Sequence, residues 1–146
     1  MDVNKNSYTF IFALAMVLVV AALLSFAATS LKPAQEENIR NEKMQRILAS
    51  VNIEVERDAA QASYDKYITK ALVVKNNQVV EGIEAFEIDL SKEIDKAPTD
   101  RNAPLYIAEV NNELYFIVPL RGKGLWGPIW GYISLKDDVN TVFGAV

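Results

Sequence analysis

No cysteine and no histidine occur in the 146 residues of this chain. The missing cysteine excludes disulfides, thiolate catalysis, Cys-ligated zinc and iron–sulfur clusters. The missing histidine removes the commonest general base and the commonest metal ligand. A Ser-His-Asp or Cys-His set is therefore impossible, and chemistry falls to carboxylates, Lys, Tyr, hydroxyls or a bound cofactor. An excess of positive charge is lacking as well: 15 basic side chains face 19 acidic ones, for a net charge of −4. No basic stripe stands out, which argues against nucleic acid as a partner. Internal repeats and low-complexity tracts are also absent.

What the chain does have is a long apolar run. Residues 9–31 carry no charged side chain. As a helix, these roughly 23 residues reach about 35 Å, enough to cross a hydrocarbon core of ~30 Å. A helix also satisfies every backbone polar group within one segment. The hydroxyls of Thr9, Ser25, Thr29 and Ser30 lie near the ends or bond back to a carbonyl one turn earlier. A cleaved signal peptide is the rival reading, with small residues around Ser25-Phe26-Ala27. The run exceeds the ~7–15 residue core of a signal, and Lys5 is the only basic side chain before it. The expected organisation is an N-terminal tail (1–8), a transmembrane helix (9–31) and one domain (32–146). Lys32, Arg40, Lys43 and Arg46 follow the helix, so charge counting alone leans towards a domain kept inside. Long domains translocate regardless of such charges.

Beyond the anchor, Pro33 suits the first turn of a new helix, with Glu36 and Glu37 serving its N-terminus. Ile39, Met44, Ile47 and Leu48 share much of one face up to Ala49. Asp58 is the expected cap of a second helix through Ala59, Ala60, Ala62, Tyr64 and Ile68. Residues 71–74 and 79–80 flank Asn76-Asn77 as a hairpin. Phe86, Ile88 and Leu90 alternate with Glu87 and Asp89, which predicts a half-buried strand. Residues 91–101, with Pro98, read as a loop with a helical turn. A second hairpin joins 105–110 to 114–118 across Asn111-Asn112-Glu113, since asparagine tolerates the left-handed backbone of tight turns. Residues 129–135 form a further strand, Lys136-Asp137-Asp138 a turn, and 141–146 the start of another strand. An apolar end is unusual for a terminus, and the expectation is a fold cut before its last part. Helices first and antiparallel strands later give an α+β domain.

The segment Arg121-Gly122-Lys123-Gly124-Leu125-Trp126-Gly127 is the most informative for chemistry. Its glycines let the backbone approach a ligand closely. Lys123 supplies a cation, and Leu125 and Trp126 supply flat apolar surface. That combination suits a planar, partly anionic cofactor such as a flavin. By composition alone the plainer reading is a β-turn with Trp126 in the core, because a short glycine loop is a weak motif. Asp137-Asp138 offers two carboxylates to a hard cation, but adjacent acids in a turn are usually solvated. No metal-ligand set and no catalytic residue is assigned. Tyr106, Tyr115, Trp130 and Tyr132 fall in strand patterns and belong to core or sheet surface.

Three segments together carry a resemblance. They are Asn4-Lys5-Asn6-Ser7-Tyr8-Thr9 before the anchor, and Ala28-Thr29-Ser30-Leu31-Lys32-Pro33-Ala34-Gln35 at its exit with Asn38 and Lys43 beyond. The third is Gly122-Lys123-Gly124-Leu125-Trp126-Gly127-Pro128-Ile129-Trp130-Gly131-Tyr132, continuing into Asp138-Val139-Asn140-Thr141-Val142. Over nearly its whole length the chain resembles the C subunit of the sodium-translocating NADH:quinone oxidoreductase (Nqr), related to the G subunit of the Rnf complex. The resemblance implies a single-pass subunit of the inner membrane with an FMN-binding α+β domain on the periplasmic side. Electrons would pass through the flavin within a complex that reduces ubiquinone and exports sodium, and the partners would be the other membrane subunits. Lys123, Gly124, Leu125 and Trp126 would line the flavin pocket. The family attaches FMN through its phosphate to the threonine of a Ser-Gly-Ala-Thr motif, which does not occur here. Phe143-Gly144-Ala145-Val146 shares only the Gly-Ala pair, and Thr141 does not match. Covalent FMN is therefore not expected on this chain, nor activity of this portion alone. The alternatives are an Rnf G-type subunit, or a membrane-anchored binding or assembly module without cofactor.

Overall fold

The structure is a computed structural model that describes residues 6–146. Asn4, Lys5 and the rest of the expected tail up to that point lie outside the described residues. The chain divides into two compact units, one ending at Arg40 and one spanning Asn41–Val146.

A single helix, α1 (Asn6–Ala49), contains the whole apolar run and continues well past it. Among the described residues it is the one helix long and apolar enough to cross a membrane. Phe10, Leu18 and Leu24 on it are exposed. Thr29 Oγ1 donates to the Ser25 carbonyl at 2.8 Å, the back-bond expected of a hydroxyl in an apolar helix. Pro33 does not open a second helix. It lies inside α1, where it removes one backbone bond, and the helix formers on either side propagate through it. Glu36 pairs with Lys32 at 3.7 Å instead of serving an N-terminus, and Glu37 is mid-helix too. Ile39 is exposed, so the buried stripe begins later, at Met44, Ile47 and Leu48. Full burial of each of these is worth about 1.5–3 kcal/mol.

Helix α2 (Ala60–Tyr67) follows a 3-10 turn at Arg57–Ala59. Asp58 is part of that turn and does not cap α2, whose N-terminus has no side-chain cap. Ile68 begins the first strand rather than ending α2. Its branched side chain favours extended backbone.

The sheet has six strands: β1 (Ile68–Lys75), β2 (Gln78–Val80), β3 (Ala103–Val110), β4 (Glu113–Lys123), β5 (Pro128–Leu135) and β6 (Val142–Ala145). Their order is β2-β1-β3-β4-β5-β6, and each neighbouring pair is antiparallel. Asn76-Asn77 and Asn111-Asn112 form two-residue turns with every φ positive, between 48° and 67°. Such turns match the right-handed twist of a hairpin. The expected strand at 86–90 does not form. A 3-10 turn, Ala85–Glu87, and a short helix, α3 (Leu90–Glu93), stand there instead. The alternating burial is real, with Phe86, Ile88 and Leu90 half-buried and Glu87 and Asp89 exposed. No described strand pairs with the segment, and Asp89 turns the chain by accepting the Ser91 N–H.

The core lies on one face of the sheet. Val73, Tyr106, Ala108, Tyr115, Ile117 and Tyr132 pack there with Ile47, Val51 and Ala85. Tyr64 meets Phe86 and Tyr106 edge-on, at 5.8 and 6.4 Å. Tyr106 donates its hydroxyl to the Ala85 carbonyl at 3.1 Å. The end of α1 is tied to the far strands by Ser134, whose hydroxyl donates to the Ser50 carbonyl. Gly144 is required at that junction: a Cβ on it would stand 2.3 Å from the Ser50 oxygen. Gly144→Ala is expected to cost about 1–3 kcal/mol by overpacking against backbone. Thermal melting in detergent should show Tm falling by about 5 °C or more.

Candidate functional site

Arg121, Gly122 and Lys123 are not a loop. They extend β4, and the last pair of the β4–β5 ladder is Lys123 with Pro128. The turn proper is Gly124-Leu125-Trp126-Gly127, closed by the Gly124 N–H donating to the Gly127 carbonyl at 2.8 Å. Glycine is favoured at Gly127, whose φ is +147°. A Cβ on Gly124 would lie 2.6 Å from the exposed end of the Ile129 side chain, which would have to move aside. Between the two glycines Leu125 is 91% and Trp126 96% exposed. Trp126 is thus not a core residue: the turn holds its indole off the body of the sheet.

Lys123 and Gly124 line an open groove of about 510 Å³, together with Arg121. That volume falls in the ~300–1,000 Å³ range of small-molecule sites. The opposite wall is built by Ser91, Ile94 and Asp95, in and just after α3. This wall is braced. Asp89 accepts from the N–H and the hydroxyl of Ser91, which hold its carboxyl below the usual carboxylate range. Glu93 accepts from the Asn102 N–H at 2.9 Å and from Lys96 Nζ at 2.8 Å, and both hold its carboxyl low as well.

Arg121 also lines a second, smaller cavity of about 120 Å³, with Lys43, Trp130 and Tyr132. The Lys43 ammonium donates to the Phe86 carbonyl and sits 4.3 Å over the Phe86 ring. Burial pulls its pKa down, opposed by the charges of Glu87 and Asp89. Burial pushes the Tyr132 phenol up to about 12, so it is neutral at physiological pH.

The four residues singled out by sequence therefore fall into two roles. Lys123 and Gly124 form the groove wall, and Leu125 and Trp126 form an apolar tip beside it. Together they can receive a flat ligand bearing negative charge. Ser91, Ile94 and Asp95 were not legible as neighbours, since they come from a segment much earlier in the chain with no motif of its own. Asp137-Asp138 is a turn: Asp138 accepts from Asn140 N–H and from Thr141 N–H and hydroxyl, which bring its pKa to about 2. Tyr106, Tyr115 and Tyr132 are buried and Trp130 is exposed, the core and sheet-surface positions expected of them.

No protein-family model matches the chain. Among curated proteins, the C subunit of the Na(+)-translocating NADH-quinone reductase of Pseudomonas aeruginosa is 29% identical over 162 residues, covering 97% of this chain and 62% of that protein. Its counterpart in Haemophilus ducreyi is 26% identical over 160 residues, again 97% and 62%. A crystal structure of the C subunit from Parabacteroides distasonis superposes with a TM-score of 0.71 at 38% identity, over 79% of this chain and 56% of that one. The chain thus spans about three-fifths of the length of the curated relatives it matches. Sequence similarity along almost the whole chain and a shared fold point the same way: the chain is similar to Na(+)-translocating NADH-quinone reductase C subunits.

Proposed function

We propose that this chain is the membrane anchor and the greater part of the flavin domain of an electron-transfer subunit in a sodium-pumping NADH:quinone oxidoreductase. The domain lies outside the inner membrane, and its partners are the other membrane subunits of that complex. The observation that carries the flavin reading is the glycine turn: it sets two cations, Arg121 and Lys123, beside an open groove and leaves an indole uncovered at the tip. Leu125 and Trp126 stand exposed side by side at that tip, and a planar ring system can cover an indole with favourable stacking.

These residues fit FMN in kind. Lys123 and Arg121 would hold its anionic part through charge-assisted hydrogen bonds. Trp126 and Leu125 would cover the ring and exclude water from it. Bound FMN supplies the electron transfer, while the chain sets its position and electrostatic surroundings. No residue of this chain is assigned as a covalent attachment point. Gly144 and Ala145 are paired into the sheet as part of β6, and the Thr141 hydroxyl is held by Asp138.

The test is an FMN titration of the chain in detergent micelles, followed by tryptophan emission. Trp130→Phe leaves Trp126 as the sole reporter, since the sequence has two tryptophans. Adding Lys123→Glu to that background should weaken binding at least ~10-fold, equal to about 1.4 kcal/mol. Equal binding by the Glu variant would remove Lys123 from the site. If FMN does not bind at all, the exposed tip is better read as a protein contact, as in an assembly module without cofactor.

A further inference from the structure

A charged side chain stands on the core face of the sheet. On β4 that face runs Tyr115, Ile117, Pro119 and then Arg121, because alternate residues of a strand point the same way. Across the ladder Pro119 lies opposite Tyr132, and Arg121 opposite Trp130. These four line the small cavity of about 120 Å³, and Lys43 of α1 lines it with them.

Three donors meet there with bonding capacity left over. Arg121 is half-buried, yet among the described residues its guanidinium makes no ion pair and no hydrogen bond. Tyr132 is only 8% exposed, and its hydroxyl likewise has no partner among the described residues. A buried hydroxyl is normally bonded, and this one, neutral at physiological pH, has a proton to donate. The Lys43 ammonium gives one N–H to the Phe86 carbonyl and retains two. Asp89 is the one acid lining the cavity, and its carboxylate is already held by Ser91 and by Lys92 at 3.8 Å.

Size and charge narrow the occupant. Sites for drug-sized ligands begin near ~300 Å³, so a flavin ring does not fit. At about 30 Å³ for each water, the cavity has room for about four waters or one compact ion with a short tail. Leu90, Pro104 and Pro119 make part of the wall apolar. Lys43 and Arg121 against Asp89 leave one net positive charge in the lining.

We infer that this cavity binds a small monocarboxylate, with its oxygens on Lys43, Arg121 and the Tyr132 hydroxyl and its short carbon chain on the apolar wall. The net charge suits a monoanion, and a guanidinium matches the two oxygens of a carboxylate. An apolar wall suits carbon better than the further oxygens of a phosphate. The site is separate from the groove: among the lining residues Arg121 alone is common to both. The inference does not depend on the flavin reading.

Trp130, opposite Arg121, is the reporter, and in a Trp126→Phe chain it is the sole tryptophan. That protein, in detergent micelles, is titrated with sodium propionate while sodium chloride keeps the total salt constant. A saturable change in indole emission is expected. Lys43→Met should weaken binding at least ~10-fold, as loss of a charged hydrogen bond does, and Tyr132→Phe ~3-fold or more. Because the Tyr132 hydroxyl holds nothing in the fold, Tyr132→Phe should leave the melting temperature unchanged. It therefore carries the test if Lys43→Met does not fold. A change that never saturates, or one that Tyr132→Phe leaves intact, would overturn the inference. So would tighter binding of inorganic phosphate than of propionate in the same assay.

Discussion

A chain carrying Ile47→Asp is expected to keep its membrane helix and lose its folded domain. Ile47 is fully buried in the core of the second unit, in the last turns of α1. Deleting a buried isoleucine costs about 2–5 kcal/mol, and an unpaired carboxylate in its place adds about 3–5. The sum approaches the whole stability of a domain, roughly 5–15 kcal/mol. The apolar run, by contrast, lies in the first unit, and in a bilayer a helix satisfies its backbone groups without help from the domain. Trypsin applied to liposomes should therefore degrade the domain of the variant and leave a protected helical fragment. A variant domain as resistant as wild type would show that the end of α1 is not part of the core.

Tyr106→Ala should rank next. Its ring is fully buried between the sheet and Tyr64, and its hydroxyl is the donor that satisfies the Ala85 carbonyl. Large-to-small loss of an aromatic costs about 3–5 kcal/mol, and an orphaned buried acceptor adds about 1–3. Tyr106→Phe keeps the ring and leaves the same carbonyl without that donor, so it should cost about 1–3 kcal/mol. Thermal melting of the three proteins in the same detergent separates the two contributions. A Phe variant as damaged as the Ala variant would place the stability in the hydroxyl rather than in the packing.

Much of the architecture was legible because its signals are local. The charge-free run marked a helix long and apolar enough to cross a membrane, and paired asparagines marked the two tight turns, since few other residues accept positive φ. The alternation in 105–110 and 114–118 marked strands whose buried residues are the ones now seen in the core. Where reading failed, the deciding interaction was remote or cooperative. Pro33 reads as a helix start, yet a long helix absorbs one missing bond. Phe86, Ile88 and Leu90 alternate like a strand, but strand identity needs a partner, and no described strand pairs with that segment. The exposed position of Trp126 was hidden for the same reason: composition cannot tell an indole packed under a sheet from one carried on a turn beyond it. The groove was half legible. Lys123 and Gly124 belong to a recognisable motif, whereas the α3 wall is assembled from a segment distant in sequence.

The flavin reading stands or falls on whether this groove holds FMN. In the titration of the Trp130→Phe chain, saturable quenching of Trp126 emission by FMN, with much weaker quenching by riboflavin, is the predicted result. The phosphate distinguishes the two ligands, and Arg121 and Lys123 are there to meet it. Quenching that never saturates, or that is equal for the two flavins, would contradict the account.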